Sequence, residues 1–157
     1  MKVDQIALKA TEGRSFEETM ALAEVIFGLD TRWIFDTVHA DGMVWPFEGT
    51  QSNIARLAFN YSKDLEIEVI EYLDGKNFHH MIPGGISHFG IHMSDDNEFN
   101  HHHAILLSKF QVIQSVETIS HTSKYLNSIG RRYEYSIFDT RKVTGAATKL
   151  IRRIQRT

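Results

Sequence analysis

The stretch Gln5-Ile6-Ala7-Leu8 near the start of the chain returns as His88-Phe89-Gly90-Ile91 just beyond its midpoint. In both stretches, polar or small residues alternate with large apolar ones, which is typical of a strand with one apolar face. Pro83-Gly84-Gly85 precedes the second copy and predicts a turn or hinge, because proline fixes φ and glycine tolerates positive φ. A repeat separated by such a break favours an internal duplication.

The residues that follow each copy continue the repeat. A strand over 3–10 is followed by the capping box Ser15-Phe16-Glu17-Glu18, which predicts a helix that ends at Gly28. A strand over 86–94 is followed by a second capping box at 95–98 and a helix over 99–110. Three strand-like runs come after each helix: 31–38, 53–61 and 65–73, then 111–120, 132–138 and 148–155.

We therefore expect one domain made of two modules, about 1–82 and 85–157, each ordered strand, helix, strand, strand, strand. The dipeptide Asp41-Gly42 predicts the turn between the second and third strands of the first module. The modules could be exchanged between two chains at the Pro83-Gly84-Gly85 hinge, and we expect a homodimer.

Composition excludes several classes of function. The chain has 157 residues, a formal net charge of −3, nine histidines and no cysteine. Without cysteine there are no disulfides, thiolate nucleophiles or cysteine-ligated zinc sites. The apolar runs are too short to span a membrane, and the start of the chain lacks the apolar core of a signal peptide. We expect a cytoplasmic protein that binds a small molecule rather than nucleic acid or a membrane.

Alternation along three strands gathers polar side chains on one face. The three sets are Gln5, Ala7 and Lys9; Glu66, Glu68 and Ile70; and His88, Gly90 and His92. The opposite faces are apolar and are suited to packing against helices. Because unpaired polar groups are costly to bury, the polar faces must be solvated, paired with one another or used to bind a metal ion.

These stretches resemble the vicinal oxygen chelate superfamily, which includes glyoxalase I, methylmalonyl-CoA epimerase, bleomycin-resistance proteins and extradiol dioxygenases. The module order matches over nearly the whole chain. The resemblance implies an α+β fold in which two βαβββ modules form a partly open, curved mixed sheet with the helices on its outer face. The residues that carry it are Gln5-Ile6-Ala7-Leu8, Leu65-Glu66-Ile67-Glu68-Val69-Ile70-Glu71-Tyr72-Leu73 and Gly84-Gly85-Ile86-Ser87-His88-Phe89-Gly90-Ile91.

The resemblance also implies a divalent metal ion, which could be Zn, Ni, Fe, Mn or Co. Its four ligands would lie on the first, fourth, fifth and eighth strands. By position, Gln5, Glu68 and His88 match the first three ligands. A hydrogen-bonded or ionic pair of Glu68 with His88, without a metal, is the alternative interpretation of the same residues.

The fourth ligand position departs from the family pattern, because residues 141–157 contain no aspartate or glutamate. The repeat puts Arg152 there, and a shift of one residue would select Ile151 or Arg153. An arginine at this position would oppose a metal ion, but it could pair with Glu68 or bind an anionic substrate. Glu134 and Asp139 are other candidates for the missing carboxylate.

The resemblance implies a glyoxalase-like metal-dependent enzyme that chelates neighbouring oxygens of a small, anionic substrate. We expect a lyase or an isomerase/epimerase rather than a dioxygenase. Glu68 would serve as a metal ligand or as the general base, and Arg152, His92 and Glu66 would contact the substrate. The alternative function, from another class, is a metal-free protein that binds or sequesters a small molecule such as a drug.

Overall fold

The computed structural model describes residues 2–10, 13–123 and 132–154 of the chain. Residue 155, where the predicted last strand ends, lies outside this range. The described elements are, in chain order, β1 Gln5–Lys9, α1 Phe16–Phe27, β2 Ile34–Val44, β3 Gln51–Ser62, β4 Leu65–Gly75, a 3₁₀ turn Phe78–Met81, β5 Gly85–His92, α2 Asp96–Leu107, β6 Val112–Ser123, β7 Arg132–Phe138, α3 Arg141–Thr144 and β8 Ala147–Ile154.

The strands form a closed barrel in the order β1-β4-β3-β2-β6-β7-β8-β5. The strand order within the first half, β1-β4-β3-β2, is the same as that within the second half, β5-β8-β7-β6. Two antiparallel seams join the halves, one between β1 and β5 and the other between β2 and β6. The α+β class is confirmed, whereas the expectation of a partly open sheet is wrong because the second seam closes it.

The seam between β2 and β6 depends on the residue that was expected to form a turn. β2 continues through Asp41-Gly42 to Val44, and Gly42 pairs with Val116 of β6. A Cβ atom at Gly42 would lie 2.2 Å from the carbonyl oxygen of Ser115 and 2.7 Å from the Cα of Val116. Glycine is therefore used here for close approach of two backbones rather than for a turn.

Both predicted helices begin at their capping boxes. The Ser15 hydroxyl accepts a hydrogen bond from the Glu18 N–H at 3.0 Å, and the Glu18 carboxylate accepts one from the Ser15 N–H at 3.2 Å. At the second box, the Asp95 carboxylate accepts from the Glu98 N–H at 2.9 Å. Helix α2 ends at Leu107, three residues before its predicted end.

The helices pack on the outer, apolar faces of the barrel. Phe16, Met20 and Ala23 of α1 are buried against Ile67 and Val69 of β4. Phe99 of α2 is buried in the corresponding place, in a cluster with Ile91, Phe138 and Leu150. Because these helices cover the outward side chains, the inward faces of the strands enclose the interior. Among the described helices, none is long and apolar enough to cross a membrane.

The connection between the two halves enters the barrel. Phe78, in the 3₁₀ turn, is fully buried in a cluster with Ile113, Ile137 and Ile151. The Lys9 ammonium group donates to the carbonyl oxygens of His79 and Ile82 at 2.8 and 2.6 Å. These bonds satisfy carbonyl groups at the end of the 3₁₀ turn and hold it against β1.

Replacing Gly42 by alanine should open the β2–β6 seam, because the added Cβ collides with the backbone of β6. We expect a loss of about 3 kcal/mol of unfolding free energy, the upper end of ordinary single-residue effects, and faster amide exchange along β6. Urea unfolding and hydrogen exchange measure both. Gly49→Ala is the control, because a Cβ there meets nothing within 4 Å and only the positive φ of +73° is penalised. Equal losses in the two variants would contradict the role of Gly42.

Candidate functional site

The barrel encloses a cavity of about 260 Å³. All eight strands contribute inward side chains to its lining. Its polar members include Gln5, Glu66, Glu68, His88 and Lys149, and its apolar members include Ile34, Val38, Leu57, Phe59 and Ile151. An enclosed apolar space with a few converging polar groups is the usual form of a small-molecule site.

Gln5 lies at the centre of the polar group because β1 runs between β4 and β5. Its amide nitrogen donates to the carboxylates of Glu66 and Glu68 at 2.6 and 3.2 Å. Its amide oxygen lies 2.9 Å from Nε2 of His88. Gln5, Glu68 and His88 are each at most 2% exposed. The structure thus brings together the three residues that the sequence predicted as metal ligands.

Gly90 provides the space that the Gln5 side chain occupies. A Cβ atom at Gly90 would lie 2.4 Å from Oε1 of Gln5 and 2.8 Å from its Cβ. Gly90 pairs with Gln5 across the β1–β5 seam. The glycine in the second copy of the repeat is therefore required by the site and not by a turn.

A chain of hydrogen bonds supports His88 from behind. The two carboxylates hold the Gln5 nitrogen as a donor, so the Gln5 oxygen accepts and neutral His88 carries its proton on Nε2. Nδ1 of His88 then accepts from the Ser87 hydroxyl at 3.3 Å, and that hydroxyl lies 2.7 Å from Nε2 of His79. Burial lowers the pKa of His88 well below its ordinary value and that of His79 to about 3. Both imidazoles are therefore neutral at physiological pH.

Glu68 is the buried carboxylate of the cavity. Burial raises its pKa to about 7, the positive charge of Lys149 opposes part of this shift, and the charge of Glu66 adds to it. Its Oε1 atom has no hydrogen-bond partner among the described residues and lies 3.9 Å from Nε2 of His88. A carboxylate with one unpartnered oxygen and a pKa near neutrality is suited to accept a proton from a bound molecule.

Lys149 occupies the position in the second half that Glu68 occupies in the first. In the parallel pair β1–β4, Gln5 is opposite Glu66, and Glu68 follows two residues later. In the parallel pair β5–β8, His88 is opposite Ala147, and Lys149 follows two residues later. The Lys149 ammonium group lies inside the cavity, 4.2 Å from the centre of the Tyr135 ring.

The expectation that Arg152 takes this position is wrong. Arg152 points to the outer face of β8, where its Nε and Nη2 atoms donate to Glu134 at 3.0 and 2.8 Å. Its guanidinium also lies over the ring of Phe99, 4.6 Å from the centre. The sequence offset between β1 and β5 does not apply between β4 and β8, because the segments that connect these strands differ in length between the two halves. The strand register selects Lys149 instead.

The other two candidates for the missing carboxylate also lie away from the cavity lining. Glu134 is held by Arg152 on the outer face. Asp139 forms a two-pronged ion pair with the Arg141 guanidinium at 2.7 and 2.9 Å. Neither supplies the fourth ligand.

Glu66 and His92 line the cavity at its polar edge. Glu66 accepts from the Gln5 amide and from the Tyr61 hydroxyl at 2.8 Å. His92 is exposed, and its Nδ1 atom lies 3.0 Å from the Asp4 carboxylate. Their placement is compatible with the predicted substrate contacts, which stay predictions.

Sequence reasoning missed the tyrosines of the cavity. Tyr72 and Tyr135 line it, and the Gln114 amide donates to the Tyr135 hydroxyl at 3.0 Å. Burial raises the pKa of Tyr135 and that of Tyr72 above the ordinary value, so both phenols stay protonated. Alternation along β4 would have found Tyr72, because it lies four residues after Glu68 and shares its face.

The donor set does not fit the divalent metal ion that the resemblance implied. A cation, Lys149, stands where the fourth ligand would lie. The side chains of Gln5 and His88 are hydrogen-bonded to each other, and Glu68 is the one charged donor among the three. The expectation of a metal ion is therefore not carried further.

Comparisons with solved structures identify the fold. A hypothetical protein from Bacillus halodurans matches with a TM-score of 0.53 at 15% identity, over 99% of this chain and 96% of that one. A variant of Streptomyces coelicolor methylmalonyl-CoA epimerase matches with a TM-score of 0.53 at 12% identity, over 97% and 94%. A variant of 4-hydroxymandelate synthase from the same organism matches with a TM-score of 0.50 at 11% identity, over 99% of this chain and 50% of that one.

The chain therefore has the vicinal oxygen chelate fold, as the sequence predicted. No protein-family model matches the sequence, and no curated protein matches it. At these identities the likeness extends to the fold alone, so the activity must be argued from the site.

The raised pKa of Glu68 should by itself lower the free energy of unfolding as the pH rises. The folded state holds this proton up to about pH 7, whereas the unfolded state releases it near the ordinary value of 4.5. Between these values the folded state binds more protons, so stability decreases with rising pH by about 3 kcal/mol from this group. In the same window His79 and His88, whose pKa values burial lowers, make stability rise with pH, so the contribution of Glu68 is measured as a difference between variants. In urea unfolding across this window, the stability of Glu68→Gln should rise more steeply with pH than that of the wild type. Glu117→Gln, at an exposed position, should follow the wild-type profile, and a Glu68→Gln profile parallel to that of the wild type would contradict the assignment.

Proposed function

We propose that the protein is a glyoxalase-like enzyme that moves a proton on a carbon atom next to a carbonyl group of a small, anionic substrate. An isomerase or epimerase is the favoured class. The observation that carries this proposal is the buried carboxylate of Glu68 in the same cavity as the ammonium group of Lys149.

Glu68 is the proposed general base. A base works best when its pKa lies near the working pH, because it is then both deprotonated in a large fraction of molecules and strong enough to take a proton. Its pKa of about 7 meets this condition, and the cause is burial. The hydrogen bond from the Gln5 amide to Oε2 leaves Oε1 as the oxygen that receives the proton.

Lys149 is the proposed binding group for the anionic part of the substrate. A fixed positive charge in a cavity of low polarity stabilises negative charge that develops on an oxygen atom. Removing the proton turns the electron pair of the C–H bond into a C=C bond and moves the π pair of the carbonyl group onto its oxygen, which forms an enolate. Return of the proton from Glu68 to the opposite face of the same carbon completes an epimerisation. Where that carbon carries a hydroxyl group, transfer of the hydroxyl proton to the enolate oxygen and return of the first proton to the neighbouring carbon complete an isomerisation.

The size of the cavity supports a small substrate. Its volume of about 260 Å³ lies below the roughly 300–1,000 Å³ of pockets that hold drug-sized ligands. The apolar side chains of β2 and β3 supply a surface for a short hydrocarbon group. Glu66 and His92 are proposed as further contacts of the substrate, and the assembly of two chains remains a prediction from the sequence.

A methylmalonyl-CoA epimerase among the structures of the same fold adds support for proton transfer. The second candidate function is sequestration of a small molecule without chemistry. The closed ring of strands favours it, because all eight strands contribute side chains to the wall around a bound molecule.

Proton exchange on model compounds separates the two candidates. Small 2-oxo acids and β-oxo acids should first be tested for binding by ligand-observed NMR. Compounds that bind should then be incubated with the protein in D₂O, and loss of the proton beside the carbonyl followed by NMR. We expect exchange that falls by about 100-fold or more in Glu68→Gln, the usual contribution of a general base.

Asp139→Asn is the control, because Asp139 is paired with Arg141 away from the cavity lining. It should exchange like the wild type. Binding without exchange in the wild type would favour sequestration, and exchange that persists in Glu68→Gln would exclude Glu68 as the base.

A further inference from the structure

We propose that Lys149 replaces a divalent metal ion in this barrel, so that the ammonium group supplies the positive charge and the protein binds no metal in the cavity. This inference goes beyond the proposed function, because it concerns which cation occupies the site and does not depend on the reaction that is catalysed. Only the contact between the Lys149 ammonium group and a substrate oxygen rests on the proposed function.

The positions of the four inward residues carry the first step. The side chains of Gln5 and His88 are hydrogen-bonded to each other across the β1–β5 seam, and Glu68 lies beside them on β4. Lys149 is related to Glu68 by the strand register of the two halves. Three oxygen and nitrogen donors therefore face a cation where a fourth donor would complete a ligand set.

Charge is the second reason why a divalent metal ion does not fit this cavity. A divalent ion among Gln5, Glu68 and His88 would share the cavity with the Lys149 ammonium group, and like charges repel strongly where water is excluded. The carboxylates of Glu66 and Glu68 would then share the cavity with both cations. With Lys149 alone, the ammonium group opposes the charge of the buried Glu68 carboxylate without a divalent ion beside it.

The third reason is that the candidate ligands already hydrogen-bond one another. Metal coordination by Nε2 of His88 requires that nitrogen to lose its proton, and that proton is donated to the Gln5 oxygen. Coordination by the Gln5 oxygen would break the same bond. The ammonium group leaves the whole chain intact, from His79 through Ser87, His88 and Gln5 to Glu68.

The inference implies that one substitution should create a metal site. In Lys149→Glu, the repulsive cation is replaced by a carboxylate, and Gln5, Glu68, His88 and residue 149 become a set of oxygen and nitrogen donors. The experiment is a titration with Mn²⁺ alone, in which free Mn²⁺ is followed by electron paramagnetic resonance, together with the change in Tm on adding Mn²⁺. Neither readout depends on a substrate.

We expect no stoichiometric Mn²⁺ binding by the wild type and binding at least about 100-fold tighter by Lys149→Glu. The matched control is Lys109→Glu, the same substitution at an exposed lysine outside the barrel. It keeps the run His101-His102-His103, so any binding there appears equally in both variants. Lys109→Glu should therefore behave like the wild type.

Lys149→Met keeps the inference testable if the carboxylate variant fails to fold. It removes the charge without adding a ligand, and we expect Mn²⁺ binding between those of the wild type and Lys149→Glu. One Mn²⁺ bound tightly by the wild type and lost in Glu68→Gln would overturn the inference. So would a folded Lys149→Glu that binds Mn²⁺ no better than Lys109→Glu. Failure of proton exchange with normal metal results would count against the proposed function alone.

Discussion

The hydrogen bond between Gln5 and His88 is the interaction on which the site depends. It crosses the seam at which the first strands of the two halves pair, so it forms only when both halves are in register. Gly90 makes room for it, and Ser87 and His79 extend it into the core. Because buried polar groups are costly when unpaired, each member of this chain holds the next in place.

The Gln5 amide also determines the state of the carboxylates. It donates to Glu66 and to one oxygen of Glu68, so the two acidic residues share a single neutral donor. Sharing leaves the other oxygen of Glu68 without a partner in the described structure. Burial then raises the pKa of this carboxyl, and the charge of Lys149 limits the rise. The carboxylate of Glu68 is suited to accept a proton because one of its oxygens lacks a hydrogen bond. A carboxylate with hydrogen bonds to both oxygens would be less suited to do so.

Alternation and capping predicted much of this structure. The polar faces of β1, β4 and β5 placed Gln5, Glu68 and His88 together, and the capping boxes located both helices. The predictions were wrong where a residue contacts a segment that is distant in the sequence. Gly42 was expected to form a turn because Asp-Gly is a turn dipeptide, but its lack of a Cβ is used by β6. Arg152 was chosen by a constant repeat offset, which connecting segments of unequal length do not preserve.

The sequence by itself determined which side chains share a face, because the period of a strand is local and needs no knowledge of neighbouring strands. It therefore determined the apolar outer faces and the polar inner faces of β1, β4 and β5, and with them three members of the site. Only the tertiary structure decided which strands meet and in what register. Closure of the sheet at the β2–β6 seam and the choice of Lys149 over Arg152 are set by hydrogen bonds between strands far apart in the chain, and a shift of one residue reverses every side chain.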